Sequence, residues 1–181
     1  MAKITYTDKD KTGNTPVNKW RDTDANEVKT SVNALYTKLS YGVFAALDSS
    51  ADTTVTTAAT YYPVSGTFTN SPIVGFQAVA DPAIQFTADD TIYFEVDWHT
   101  TFSANDNNTS VSFGIKKNGT LVDSSVLTGF AKNLNQPYAM SGTTVVELTQ
   151  DDKIQLVVTS DGDGDVITVS NYTTTIKPFV I

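Results

Sequence analysis

The chain has 181 residues, a net charge of −8 at pH 7, a single histidine and no cysteine. That length allows one core of about 100 to 150 residues with an appendage, and it excludes two full domains. The lack of cysteine excludes disulfides and thiolate metal sites, while only 12 Lys and Arg residues, without a long cluster, argue against a nucleic-acid partner. No apolar run approaches about 18 residues, so we expect neither a secretory signal nor a membrane span.

The first 22 residues are polar and contain few apolar side chains, among them Ile4, Tyr6 and Trp20. A segment of this composition does not fold by itself, and a buried aromatic side chain supplies much of the free energy of docking. We therefore predict that these three residues anchor the arm on a partner surface. The alternative is that Trp20 packs against the helix that follows.

A helix is predicted from about Ala25 to Leu39, because Asp24 and Glu27 have the spacing of a capping box. Its apolar residues follow a 3-4-3-4 spacing along one narrow stripe: Ala25, Val28, Val32, Leu35 and Leu39. A helix this short is not stable alone in water. The stripe therefore packs on the β body of the same chain or bundles with identical helices, and a bundle makes Val28, Val32, Leu35 and Leu39 a trimer helix interface.

The composition then changes twice along the chain. Residues 48–60 contain one large apolar residue, Val55, among many small and polar ones, and this predicts a linker. From Tyr61 onward, apolar and polar residues alternate. We therefore predict an arm and helix over 1–47, a linker over 48–60 and a β head over 61–181.

The alternation in the head has the period of a β-strand. It is clearest between Thr91 and Phe102, where the apolar face consists of Ile92, Phe94, Val96, Trp98 and Phe102. Asn118-Gly119 predicts a tight hairpin turn, because both central positions of a type I′ turn need a positive φ. Roughly eight to ten short strands separated by turns, the last two near 166–171 and 173–181, predict a mainly β fold, a two-sheet sandwich most simply arranged as a jelly roll.

Catalytic motifs are missing from the sequence. His99, the single histidine, lies on the polar phase of a predicted strand, and there is no G-x-S-x-G nucleophile elbow. Pairs of carboxylates arise by chance among 20 acidic residues, so they do not indicate a glycosidase. We therefore predict that the chain is not an enzyme.

One acidic cluster has the spacing of a metal loop. Asp161, Asp163 and Asp165 alternate with glycine, as at the start of a calcium loop. That pattern also requires an acidic residue at its twelfth position, where this chain has Tyr172. Acid-glycine repeats also form β turns. The sequence predicts either a turn without a cofactor or a calcium site at these three residues.

A long loop between hairpins is predicted to carry Leu127, Phe130, Leu134, Pro137 and Tyr138. Long loops in small β domains are often functional, and apolar loop residues otherwise need a cover. We expect this loop either to carry a functional surface or to fill a trimer interface.

Three stretches of the head resemble a known family: 92–98 (IYFEVDW), 111–120 (VSFGIKKNGT) and 146–156 (VELTQDDKIQL). In this order they resemble a buried strand and two hairpins of the C1q/TNF-like jelly-roll heads found on bacteriophage fibres. The stretch 20–36 (WRDTDANEVKTSVNALY) is similar to a virion-attachment segment of phage structural proteins, including those of crAss-like phages. Together the resemblances imply a homotrimeric virion fibre that binds other virion structural proteins, in the capsid or the tail, through its N-terminus.

The expected function is therefore that of a head fibre or capsid decoration protein on the virion, displaying its jelly roll for adhesion or surface exposure. The alternative is a tail-tip receptor-binding protein that recognises host surface carbohydrate. This alternative requires an exposed aromatic platform at Trp98 or at Tyr61 and Tyr62, whereas the alternation assigns Trp98 to the core.

Overall fold

The computed structural model describes residues 26–32, 41–66, 69–79, 82–89 and 91–179, with the backbone alone at 41–50 and 69–74. The chain divides into two units, Met1–Leu39 and Ser40–Ile181. The first contains a helix and the second contains the strands.

Residues 26–32 are helical, within the helix predicted from Ala25 to Leu39. Val28 is 46% exposed and Val32 is 37% exposed. The predicted end of the helix, with Leu35 and Leu39, lies outside the described residues. In the part of the chain that the structure describes, no helix has the length and apolar character needed to cross a membrane.

Within its described residues, the second unit contains eleven strands in two antiparallel sheets. In chain order they are β1 (Tyr41–Val55), β2 (Tyr62–Pro63), β3 (Thr69–Val74), β4 (Phe76–Val79), β5 (Ala83–Phe86), β6 (Ile92–Ala104), β7 (Thr109–Lys117), β8 (Thr120–Ala131), β9 (Tyr138–Leu148), β10 (Lys153–Ser160) and β11 (Asp165–Pro178). The five-stranded sheet has the order β3-β1-β11-β6-β9. The six-stranded sheet has the order β4-β5-β10-β7-β8, with β2 also paired to β10.

The core lies between the two sheets and follows the predicted alternation. Phe94, Val96 and Trp98 of β6 are fully buried, and they point toward the six-stranded sheet. The ring of Phe94 lies 5.1 Å from that of Phe86, and the ring of Trp98 lies 6.0 Å from that of Phe113. Aromatic contacts between the sheets therefore hold the sandwich together.

The predicted hairpin turn is confirmed. Asn118 and Gly119 have φ angles of 48° and 82° between β7 and β8. Glycine is favoured at residue 119 because it adopts a positive φ without a steric penalty.

The linker prediction was wrong for residues 48–55, and the predicted arm does not extend to residue 47. Residues 41–55 form β1, which pairs with β11 over most of its length. Thr53 and Val55 are buried whereas Thr54 is exposed, so the Thr-rich end of this segment alternates as a strand. Branched threonine side chains suit a pleated sheet, and here they form an interior strand between β3 and β11 rather than a linker.

Two further strand boundaries differ from the prediction. Leu127 and Phe130 belong to β8 and Tyr138 begins β9, so the long loop shrinks to residues 132–137. The C-terminal region is one strand, β11, instead of two. Its register shifts between Val169 and Asn171, and this bulge produces the break in alternation that predicted two strands.

Candidate functional site

Three neighbouring strands, β9, β6 and β11, contribute side chains to one part of the outer face of the five-stranded sheet. Residues directly opposite each other in antiparallel strands share a face. Because the even-numbered β6 residues from Phe94 to Phe102 are buried, the odd-numbered ones and their partners lie on the outer face. We call this set the outer ladder: Tyr93, Glu95, Asp97, His99 and Thr101 of β6; Glu147, Val145, Thr143, Ser141 and Ala139 of β9; Lys177, Thr175, Thr173 and Asn171 of β11.

One end of the outer ladder is apolar. Tyr93 is 46% exposed, and Val145 and Phe179 are each 41% exposed. The Phe179 amide donates a hydrogen bond of 2.8 Å to the Tyr93 carbonyl, so these two residues are neighbours. Val145 lies opposite Glu95, which places it diagonally beside Tyr93 on the same face. We call these three residues the apolar cluster.

Three of the four charged side chains near the apolar cluster, Glu95, Asp97 and Lys177, are paired with one another, and the fourth, Glu147, lies opposite Tyr93 on the edge strand β9. Lys177 Nζ lies 2.8 Å from Glu95 Oε1 and 3.0 Å from Asp97 Oδ2. The hydrogen bonds to Glu95 and then to Asp97 raise the pKa of Lys177. Thr143 Oγ1 also donates a hydrogen bond to Asp97. This part of the ladder presents little unpaired charge to a partner surface.

A shallow depression lies at the end of the outer ladder that is farther from the apolar cluster. Its volume is about 280 Å³, and the outer residues lining it are His99, Thr101, Ala139, Ser141, Asn171 and Thr173. His99 is exposed, as expected for a histidine on the polar face of its strand. The side chains around it are short, so the backbone of the sheet is accessible there. The depression offers hydroxyl and imidazole groups to a neighbouring surface.

The described residues include only part of the predicted anchor and helix interface. Ile4, Tyr6 and Trp20 lie outside the described residues. Val28 and Val32 lie one helical turn apart and are both exposed. Their role as part of a trimer helix interface stays a prediction.

The acidic residues of the predicted calcium site have separate partners. Asp161 Oδ1 accepts a hydrogen bond of 2.9 Å from the Ser110 amide, and Asp163 Oδ1 accepts one of 2.6 Å from the Ala58 amide. Asp165 is buried at the start of β11. Among the described residues, no three His, Asp or Glu side chains are grouped as ligands of one metal ion.

The aromatic residues of the carbohydrate alternative do not form an exposed platform. Trp98 is fully buried, which confirms its assignment to the core. Tyr61 and Tyr62 are only partly exposed. Burial raises the pKa of Tyr61, and the hydroxyl of Tyr62 is hydrogen-bonded to Thr56 at 2.6 Å.

Comparisons with known proteins identify the fold. The structure of Eiger TNF from S. frugiperda matches with a TM-score of 0.53 at 9% sequence identity, covering 77% of this chain and 92% of that chain. Murine APRIL at pH 8.5 matches with a TM-score of 0.48 at 12% identity over 76% of this chain and 98% of its own. The structure of murine APRIL at pH 5.0 matches with a TM-score of 0.48 at 13% identity and with the same coverage.

These similarities concern the fold alone, because sequence identity is so low. The chain has a mainly β, TNF-like jelly-roll fold, as predicted. No protein-family model matches the chain, and no curated protein matches it significantly.

Proposed function

We propose that this chain is a structural protein of the bacteriophage virion, a homotrimeric head fibre or decoration protein that attaches through its N-terminal arm and displays the jelly roll. The observation that carries the proposal is the exposure of the apolar cluster on the outer face of the five-stranded sheet. Contiguous apolar residues on a soluble protein generally mark an interaction surface.

A second copy of the chain is the occupant that best suits this surface. The apolar cluster lies at one end of a ladder of short, mostly uncharged side chains, in which Glu95, Asp97 and Lys177 are already paired. This face can be buried without leaving an uncompensated charge, provided that Glu147, on the edge strand β9, stays in contact with water. A closed ring of three copies would cover all three faces with one repeated contact, as the resemblance to trimeric phage heads implies.

The arm supplies the attachment in this proposal. Ile4, Tyr6 and Trp20 are its anchors on other virion proteins, and the helical valines Val28 and Val32 face their counterparts in the trimer. Support comes from the exposure of both valines and from the resemblance of residues 20–36 to a virion-attachment segment.

The mechanism is adhesion or surface protection without chemistry. Three heads on one axis gain avidity, because the second and third contacts become intramolecular once the first has formed. Location on the virion and the absence of enzymatic activity are parts of this proposal.

The first test is the mass of the purified chain in solution, measured by light scattering. We expect about three times the chain mass of 19.5 kDa. Val145→Glu places a charge inside the proposed interface and should give single chains. Thr120→Glu, which adds the same charge at an exposed residue of the β7–β8 turn, should leave the trimer intact. A single-chain mass for the unmodified protein would contradict the trimer.

The second test removes the arm. The deletion must end at Leu39, because β1 begins at Tyr41 and a longer deletion would remove part of the five-stranded sheet. We expect residues 40–181 to fold but to be missing from purified virions. Incorporation at the normal level would rule out the arm as the anchor.

A further inference from the structure

The turn between β10 and β11 is fixed in place by neighbouring loops. The carboxylates of Asp161 and Asp163 accept amide hydrogen bonds from Ser110 and Ala58. The Gly164 amide donates a hydrogen bond of 2.7 Å to the Val55 carbonyl. The turn is thus held from both sides, and a ligand that binds there would not need to order it first.

Asp165 lies beneath this turn and is only 8% exposed. Its Oδ2 is buried and has no hydrogen-bond partner. A buried carboxylate is normally paired, because leaving its charge without compensation costs several kcal/mol. This oxygen is therefore a possible metal ligand for which the described chain supplies no hydrogen-bond donor.

The Asp165 carboxylate faces the backbone of the turn at Gly162. A Cβ atom added at Gly162 would lie 2.7 Å from Asp165 Oδ2 and 2.8 Å from Oδ1. Both carboxylate oxygens can lie this close to the backbone of the turn only because residue 162 has no side chain. Asp161 and Asp163 flank this glycine in the sequence and bring two further carboxylates to the same turn.

We propose that the β10–β11 turn binds one calcium ion, with the Asp165 carboxylate as its buried ligand. Backbone carbonyls of residues 161–164 and water complete the coordination, while Asp161 and Asp163 contribute negative charge nearby and keep their hydrogen bonds to the neighbouring loops. Calcium suits this donor set better than magnesium because it accepts irregular arrangements of carboxylate and carbonyl oxygens and loses its water more readily.

The test is thermal melting of the full chain in a chelator and in millimolar calcium. An ion that binds only the folded state stabilises it by mass action. With a dissociation constant near 10 µM, 1 mM calcium should raise Tm by roughly 5–10 °C. Calorimetric titration with calcium chloride should give one ion per chain, and the same concentration of magnesium should raise Tm by less.

The decisive variant is Asp165→Asn, with Asp123→Asn as the matched control at an exposed acidic residue of β8. Asp165→Asn should abolish the calcium-dependent shift, and in chelator it should melt no lower than the unmodified protein, because it removes an uncompensated charge. Asp123→Asn should keep the whole shift. If Asp165→Asn does not fold, Gly162→Ala tests the same contact by placing a methyl group against the carboxylate, and it should reduce the shift.

Two results would overturn the proposal. One is an identical Tm of the unmodified protein in chelator and in calcium. The other is a calcium shift that Asp165→Asn retains in full, since the ion would then bind elsewhere. Neither result depends on whether the chain forms trimers or joins a virion.

Discussion

The jelly roll and the helix of residues 26–32 differ in how far their apolar side chains are buried. Phe86, Phe94 and Trp98 are completely buried inside the sandwich. In the helix, both Val28 and Val32 are more than one third exposed. The jelly roll therefore has a core of its own, whereas a helix of this kind depends on a surface supplied from elsewhere. This difference in burial indicates that the core residues of the jelly roll stabilise the fold, whereas the exposed valines of the helix are available for assembly.

The most severe way to break the self-contained core is Trp98→Ala. Trp98 is fully buried and its ring packs near Phe113, so we expect the free energy of unfolding to fall by about 3–5 kcal/mol. Urea denaturation measures this loss. Trp98→Phe should cost less, because the indole Nε1 has no hydrogen-bond partner to lose. Leu134→Ala, at an exposed loop residue, should change stability by no more than about 0.5 kcal/mol. If Trp98→Ala lowered the free energy of unfolding as little as Leu134→Ala, the burial of Trp98 would not be a main source of stability.

A buried hydroxyl provides the second test of the core. Ser125 Oγ accepts a hydrogen bond of 2.7 Å from the Ile115 amide and donates one of 2.6 Å to the Val122 carbonyl. It thereby fills the gap in the β7–β8 ladder where the register shifts between Phe113 and Ile115. Ser125→Ala leaves a buried amide unsatisfied and should cost about 1–3 kcal/mol in urea denaturation.

The matched control for that variant is Ser124→Ala. Ser124 Oγ forms one hydrogen bond of 3.0 Å to Thr144 Oγ1 at a partly buried position. Its removal should cost about 0.5–1 kcal/mol. Equal losses for the two serines would contradict the role assigned to Ser125.

The contribution of Asp152 to the stability of the jelly roll should depend on pH. Burial acts to raise the pKa of Asp152, but hydrogen bonds from Lys117, from the Thr149 amide and from Asn118 outweigh it and lower the pKa to about 2. An unfolded aspartate has a pKa of about 3.9. The stabilisation from Asp152 is therefore fully present above about pH 4 and is lost as pH falls toward 2.

The measurement is the free energy of unfolding of the unmodified protein and of Asp152→Asn from pH 7 to pH 2. At pH 7 the variant should be less stable by about 1–2 kcal/mol, and the difference should shrink below pH 4. Asp151→Asn, at the neighbouring residue of the same turn, should keep the pH dependence of the unmodified protein. A gap that stays constant down to pH 2 would show that Asp152 does not act through its charge.

The smallest effect on stability is expected in the helix. The double substitution Val28→Ser and Val32→Ser should change the free energy of unfolding of the jelly roll by no more than about 0.5 kcal/mol, because both side chains are already exposed. Urea denaturation checks this value. The same variant should weaken the trimer in light scattering at low protein concentration. A large loss of jelly-roll stability would remove the distinction between the two regions.

Local patterns in the sequence predicted the parts of the fold that depend on near neighbours. The alternation along β6 placed Trp98 in the core, and Asn118-Gly119 placed a turn. The strand β1 was missed because its small and Thr-rich residues give a weak local signal, and because its partner β11 lies more than one hundred residues along the chain. Pairing at that distance leaves no trace in a short window of sequence.

The candidate sites were harder to predict than the strands. Val145 and Val146 are both apolar, so alternation does not decide which one faces outward until the register of β9 with β6 is known. Asp161, Asp163 and Asp165 share one spacing in the sequence, but only Asp165 is buried. Its phase relative to Ile167, two residues further along β11, was the available signal.

The central position of β11 determines when the jelly roll can be completed during synthesis. It lies between β1 and β6 in the five-stranded sheet, and Gly42 pairs with Ile176. The ribosome therefore releases β1 more than one hundred residues before its hydrogen-bonding partner. Until then the nascent chain exposes the unpaired edges of β1 and β6, which are open to pairing with other chains. The five-stranded sheet is completed only when β11 inserts between two strands that were synthesised before it.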